Sequence, residues 1–161
     1  MFIQAIKPAN APKAIGPYSP AVKLGDFVYV SGQLPIDAES GEIVGTTIQE
    51  QTKQVLANLE IVLAEMNLEL RHVVKTTVFM SDLSEFNDFN EVYAQAFTAP
   101  YPARSCVQVA ALPKGAKVEI ECLVIDTLIY EQQMAASSCG CGGGCGGCES
   151  EGDCGSGCGC C

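Results

Sequence analysis

Apolar residues along the chain recur at two distinct periods, and the period tells which stretches coil and which extend. Ile48, Val55, Leu59, Val62, Leu63 and Met66 recur as one helical face, and Thr47 followed by Glu50 supplies a capping box at its start. Gln49, Glu50, Lys53, Gln54, Asn58, Glu60 and Glu65 fall on the other faces. The stretch predicts a long amphipathic helix lying on a sheet and contributing no catalytic group. A second helix is predicted over residues 82–97, where Phe86, Phe89, Val92, Tyr93, Ala96 and Phe97 share a stripe. Asp82, Ser84 and Glu85 crowd its start, where the helix dipole favours acids.

The remaining apolar runs read as strands. Ile3 and Ile6 predict a short first one, and residues 21–23 and 27–30 flank Leu24-Gly25-Asp26 as a hairpin turning at Gly25. The β-branched run over residues 73–80 is too continuous for an exposed edge and predicts a central strand. Pro102 precedes a strand over residues 104–109, and the Leu112-Pro113-Lys114-Gly115-Ala116 turn leads into a last strand over residues 117–125. In that last strand Val118, Ile120, Cys122 and Val124 share one face, and Glu119, Glu121, Leu123 and Ile125 the other. Both helices can bury their stripes on one face of a single mixed sheet, which predicts a two-layer α+β domain. The other sheet face keeps apolar residues with no element left to cover it. Self-association is the economical cover, and a site would then fall at a subunit border.

Length and charge narrow this further. At 161 residues the chain suits one domain with a real core. A formal net charge of -10, with the nine basic residues scattered, argues against a nucleic-acid partner. The N-terminus has no basic segment followed by a long apolar run, and no stretch approaches the roughly 20 apolar residues that span a bilayer. A soluble, cytoplasmic protein without membrane contact is expected.

Candidate chemistry concentrates on few residues. Arg104 is one of only two arginines, with Arg71, and its planar fork of donors matches a carboxylate as lysine cannot. Strand alternation places Arg104, Cys106 and Gln108 on one face and Ser105, Val107 and Val109 on the other. The apolar face is expected to be buried, leaving the arginine face on something polar. A structural ion pair or a solvated arginine is the alternative reading of Arg104. Tyr18 is fixed by Gly16, Pro17 and Pro20, either covering a core edge or facing a ligand. Ser31-Gly32-Gln33 marks a strand end where a glycine permits close approach, or a plain bulge. His72, the single histidine, lacks a neighbouring nucleophile or acid pattern and reads as structural. Glu119 is a carboxylate on a largely apolar face and needs a lysine partner, exposure at the strand end, or a catalytic use.

Taken together, these stretches resemble the Rid (RidA/YjgF) family of reactive intermediate deaminases over residues 3–127. The resemblance rests on Ile15-Gly16-Pro17-Tyr18-Ser19, Val30-Ser31-Gly32-Gln33, Gln51-Thr52 through Asn58-Leu59, and Val73-Val74-Lys75-Thr76-Thr77-Val78. It continues in Asp82-Leu83 with Phe86, Asn90-Glu91-Val92-Tyr93, Pro102-Ala103-Arg104-Ser105-Cys106-Val107, and Val118-Glu119-Ile120-Glu121. The resemblance implies a chorismate-mutase-like fold assembled as a homotrimer, with clefts between subunits. It implies hydrolysis of 2-aminoacrylate and related 2-imino acids to 2-keto acids and ammonia, with no metal or organic cofactor. Carried over by position, Arg104 clamps the substrate carboxylate and Glu119 handles the hydrolytic water. Tyr18, Ser31, Gly32, Asn90 and Cys106 line the cleft, Cys106 as a contact and not a nucleophile. A carboxylate-binding or sensing protein using the same cleft and a metal-handling protein acting through its Cys-rich C-terminal segment are the competing readings; ribonuclease activity, attributed to relatives, fits the acidic charge poorly.

Family members end near the last strand, and this chain does not. A domain over residues 1–134 is followed by a Gly/Cys-rich segment, 135–161, with no apolar content for a core. Its thiols are Cys139, Cys141, Cys145, Cys148, Cys154, Cys158, Cys160 and Cys161. At these spacings they could wrap Zn(II) or Cu(I), remain a disordered thiol-rich tail, or serve redox chemistry. No second Cys-x-x-Cys follows Cys145 and Cys148 at zinc-ribbon distance.

Overall fold

The computed structural model describes residues 2–12 and 16–138. The chain divides into two compact units, Met1–Ile129 and Tyr130–Cys161. In the first, the strands are β1 (Ile3–Ile6), β2 (Ala21–Leu24), β3 (Phe27–Gln33), β4 (Val73–Met80), β5 (Ala103–Gln108) and β6 (Val118–Ile125). They form one sheet in the order β1-β2-β3-β6-β4-β5. Only β4 and β5 run parallel; the other neighbours are antiparallel, so the sheet is mixed as predicted. Helices α1 (Ile48–Ala64) and α2 (Phe86–Ala96) cover one face.

Local chemistry explains these elements. Gly25 takes a φ of 59°, the left-handed conformation that a two-residue hairpin turn demands, and Leu24 pairs with Phe27 across it. Thr47 caps α1, its hydroxyl accepting from the Glu50 amide at 3.2 Å while the Glu50 carboxylate accepts from the Thr47 amide at 3.1 Å. The second helix starts later than its stripe suggests. Asp82 accepts from the Ser84 amide at 2.8 Å, and residues Leu83–Glu85 form a 3-10 turn before α2 begins. The core lies between the layers: Val55, Leu59, Val62 and Leu63 of α1 and Phe89 of α2 pack with Val28, Val78, Val118, Ile120 and Val124.

Two expectations are corrected, the faces of β5 and the placement of Asn58. The faces of β5 are inverted: Val107 is exposed, and the Arg104 and Cys106 side is the one turned toward the helices. The alternation was right, but β5 is an edge strand and its apolar side belongs to the uncovered face. The last two strands do not pair with each other, because β4 lies between β5 and β6. Asn58 is not on an outer face of α1. It is buried, and its amide donates to the Leu34 and Ile36 carbonyls, both at 2.9 Å, so it satisfies the segment that follows β3.

A third helix, α3 (Leu128–Ser138), follows β6, and the expected division at 134/135 falls inside it. The eight cysteines proposed as metal ligands, Cys139 to Cys161, lie outside the described residues. Among the described residues no helix is long and apolar enough to cross a membrane. Replacing Asn58 with Ala should strand the buried Ile36 carbonyl and the half-buried Leu34 carbonyl and lower stability by about 1 to 3 kcal/mol. Urea unfolding checks this, with a lower midpoint and an unchanged slope expected.

Candidate active site

β6 inserts between β3 and β4, and the site on the uncovered face follows from that placement. Val30 pairs with Cys122 and Gln33 with Ile120, so Ser31 and Gly32 together oppose Glu121, a β-bulge. The bulge brings Gly32 against the side chain of Glu119. A Cβ built on Gly32 would lie 1.9 Å from the Glu119 carboxylate oxygen, so only glycine leaves that carboxylate its position. Both readings of the Ser31-Gly32-Gln33 stretch therefore hold, as a bulge and as a close approach. Ser31 anchors the preceding loop: its hydroxyl donates to the Ser19 carbonyl at 2.7 Å and its amide to the Pro20 carbonyl at 3.0 Å. Tyr18 is thereby held beside the bulge with half its surface exposed.

Tyr18, Ser31, Gly32 and Glu119 line one cavity of about 560 Å³. Its other walls are apolar or carry amides: Pro12, Pro20, Leu34, Ile36, Pro113 and Gln33, with Lys114 beside them. Away from these walls, buried Gln51 ties α1 to two neighbouring segments, donating to the Gly45 carbonyl at 3.2 Å and accepting from the Lys117 amide at 2.8 Å. Glu119 is half-buried, and among the described residues it has no ion-pair partner. Burial, with the nearby charge of Glu121, holds its carboxyl above the usual range. Neither a lysine pair nor full exposure accounts for it, and a carboxyl shifted toward neutrality can take and return a proton.

Arg104 occupies a different place. It pairs with Thr76 of β4, which pairs with Cys122 of β6, and that row faces the helices. Glu119 pairs with Phe79, and Phe79 with Val107, on the uncovered side. The two residues thus sit on opposite faces of the sheet, three positions and two strands apart, about 14 Å by strand geometry. The Arg104 guanidinium carbon lies 4.7 Å from the Tyr93 ring centroid, 5.4 Å from that of Phe86 and 5.6 Å from that of Phe89. Among the described residues no carboxylate lies within ion-pair distance of it. The structural ion pair weighed as an alternative is therefore absent among those residues. Asn90 lies on α2 next to Phe89 and is half-buried. Cys106 is two residues along β5; burial pushes its thiol up, against the opposing pull of Arg104, so it stays protonated near neutrality.

The expected site residues therefore form two groups in one chain. Tyr18, Ser31, Gly32 and Glu119 meet in the cavity, whereas Arg104, Asn90 and Cys106 gather at the β5–α2 edge. The sequence reading missed the aromatic support of Arg104, because Phe86, Phe89 and Tyr93 have the spacing of an ordinary core stripe. It also missed the proline and aliphatic walls of the cavity, which come from separate loops. His72 is structural: its Nδ1 accepts from the Glu69 amide at 2.9 Å.

Comparison with known proteins gives consistent matches. Residues 8–126 match a family model described as endoribonuclease L-PSP. A RutC family protein, y4sK of Sinorhizobium fredii, is 50% identical over 123 residues, which is 76% of this chain and 98% of that protein. The human 2-iminobutanoate/2-iminopropanoate deaminase is 45% identical over 122 residues, covering 76% of this chain and 89% of the relative. Among solved structures, E. coli TdcF with bound serine matches with a TM-score of 0.72 and 43% identity, over 76% of this chain and 98% of that one.

Because a methyl at Gly32 would displace the flexible end of the Glu119 side chain, Gly32→Ala should move that carboxylate and destabilise the fold by about 1 kcal/mol or less. In a Glu119→Ala background the same change should cost far less. A double-mutant cycle by chemical denaturation measures the coupling, and strictly additive losses would contradict the packing described.

Proposed function

The chain belongs to the Rid (RidA/YjgF) family, the one matched by the endoribonuclease L-PSP model, and on that footing we propose that it hydrolyses reactive 2-enamine and 2-imino acids to 2-keto acids and ammonia. The observation that carries this reading is the Arg104 guanidinium, held by aromatic rings with no carboxylate partner among the described residues. Such a cation is free to bind the carboxylate, the one fixed charge on these small substrates. Support comes from the human relative, whose name states this activity, and from TdcF, whose bound serine carries the same carboxylate.

A three- or four-carbon acid cannot touch Arg104 and Glu119 of one chain, which lie on opposite faces of the sheet. Two copies can present them to one cleft, and the homotrimer implied by the resemblance would supply three such borders. The exposed apolar residues of the uncovered face, among them Phe27, Tyr29 and Val107, favour that assembly.

In this reading an enamine first gains a proton at its terminal carbon and loses one from nitrogen, becoming the imine. Glu119 then takes a proton from water as the water oxygen bonds to the imine carbon, and the former double-bond electrons go to nitrogen. Returning that proton to nitrogen gives the carbinolamine; moving its hydroxyl proton to nitrogen, again through Glu119, then lets the carbon–nitrogen bond break with its electron pair on the departing ammonia as the carbonyl forms. Tyr18, Ser31 and Gly32 shape the cavity around this carbon, and Asn90 and Cys106 line the Arg104 side. The sequence needs neither a metal nor an organic cofactor. The net charge of -10 weighs against a ribonuclease reading.

Ammonia release from freshly generated 2-iminopropanoate should be accelerated by the wild-type chain. Arg104→Ala should lower kcat/KM by roughly 10- to 150-fold for each charged hydrogen bond lost, and Arg104→Lys should not restore it. Glu119 must be ionised to take a proton, so kcat should fall as pH drops, with a midpoint above the ordinary 4.5. Glu119→Gln should abolish that acid limb. Co-refolding Arg104→Ala with Glu119→Gln should regain activity, since mixed assemblies contain borders with both native groups. A wild-type rate equal to buffer would overturn the enzymatic reading, and failure of the mixture would overturn the shared border.

A further inference from the structure

An arginine that must meet an incoming carboxylate cannot be held in place by one of the protein's own, because that pairing would occupy its donors. Four aromatic rings run along α2 at Phe86, Phe89, Tyr93 and the following Phe97, with successive centroids 6.5, 5.4 and 4.5 Å apart. Three of them lie within cation–π reach of the Arg104 guanidinium, and Tyr93 is nearest at 4.7 Å. A contact with a ring face uses none of the guanidinium N–H donors, so the charge is located while its hydrogen-bonding edge stays available. Tyr93 is itself locked. Its hydroxyl lies 2.8 Å from the hydroxyl of Thr76, which is buried and is the β4 residue paired with Arg104. Helix, central strand and edge strand thus meet at one point.

We propose that Tyr93, locked by Thr76, is a positioning residue that presents the Arg104 guanidinium, by its ring face, to the carboxylate of the ligand. The inference rests on the carboxylate-clamp reading of Arg104 but not on catalysis. Burial also keeps the Tyr93 hydroxyl neutral, so no second charge arises beside the guanidinium near neutral pH. Phe86, only partly buried, provides a weaker second support.

Binding of pyruvate to the full chain, followed by calorimetry, tests this apart from turnover. Tyr93→Leu should weaken binding by roughly 3- to 30-fold, the range of a cation–π contact from exposed to desolvated. Tyr93→Phe, which keeps the ring, should stay within about 3-fold of wild type on the same scale. In the deamination assay Tyr93→Leu should raise KM more than it lowers kcat, a split that general loosening of the fold would not produce. If Tyr93→Leu does not fold, Phe86→Leu takes its place, with a loss toward the lower end of that range. Full-strength pyruvate binding by the folded leucine variant, or an equal loss in Tyr93→Leu and Tyr93→Phe, would overturn the proposal. So would a wild-type chain that binds no pyruvate. Pyruvate binding without any rate acceleration would instead sink the deaminase reading and leave the cradle standing.

Discussion

The last strand in the sequence sits near the middle of the sheet, and most of the structure depends on that insertion. β6 enters between β3 and β4 and sends Val118, Ile120, Cys122 and Val124 into the layer under the helices. The same alternation turns Glu119 and Glu121 to the other side. Each apolar residue buried there contributes on the order of 1.5 to 3 kcal/mol, which fixes the register against a one-residue slip. The register in turn sets Glu119 beside Gly32. A carboxylate is thus kept in a poor electrostatic place by apolar side chains pointing the opposite way.

The two charges of interest are held by contrasting means. Arg104 is supported by polarisable ring faces, which leave its hydrogen-bond donors unused. Glu119 is held by steric fit against a bulged backbone and remains titratable. One group suits fixing a charged end of a ligand; the other suits moving a proton. Their placement on opposite faces divides these tasks between two surfaces of the same fold.

Much of this was legible in the sequence. Periodicity located both principal helices and every strand, and the Thr47–Glu50 cap and the Gly25 turn behaved as their chemistry dictates. Alternation also assigned the two faces of β6. It could not assign the faces of β5, because which side is buried depends on whether a strand is central or at an edge, a fact of tertiary topology. Asn58 misled for a similar reason: a polar residue on a helix reads as solvated unless the loop it satisfies is known. The partition of the site residues into two groups was equally hidden. Spacing along a chain does not reveal that β4 intervenes between β5 and β6.

The half-buried carboxylate at Glu119 has a thermodynamic side. Its folded-state pKa lies above the value of an exposed glutamate, so the folded chain retains this proton to higher pH than the unfolded chain does. The contribution of this one group therefore favours the fold in mild acid and declines as pH rises through the elevated value. Ionisation, the condition under which the oxygen becomes a useful base, is also the condition under which it strains its host. Conformational robustness and reactivity at this position move in opposite directions along the same titration.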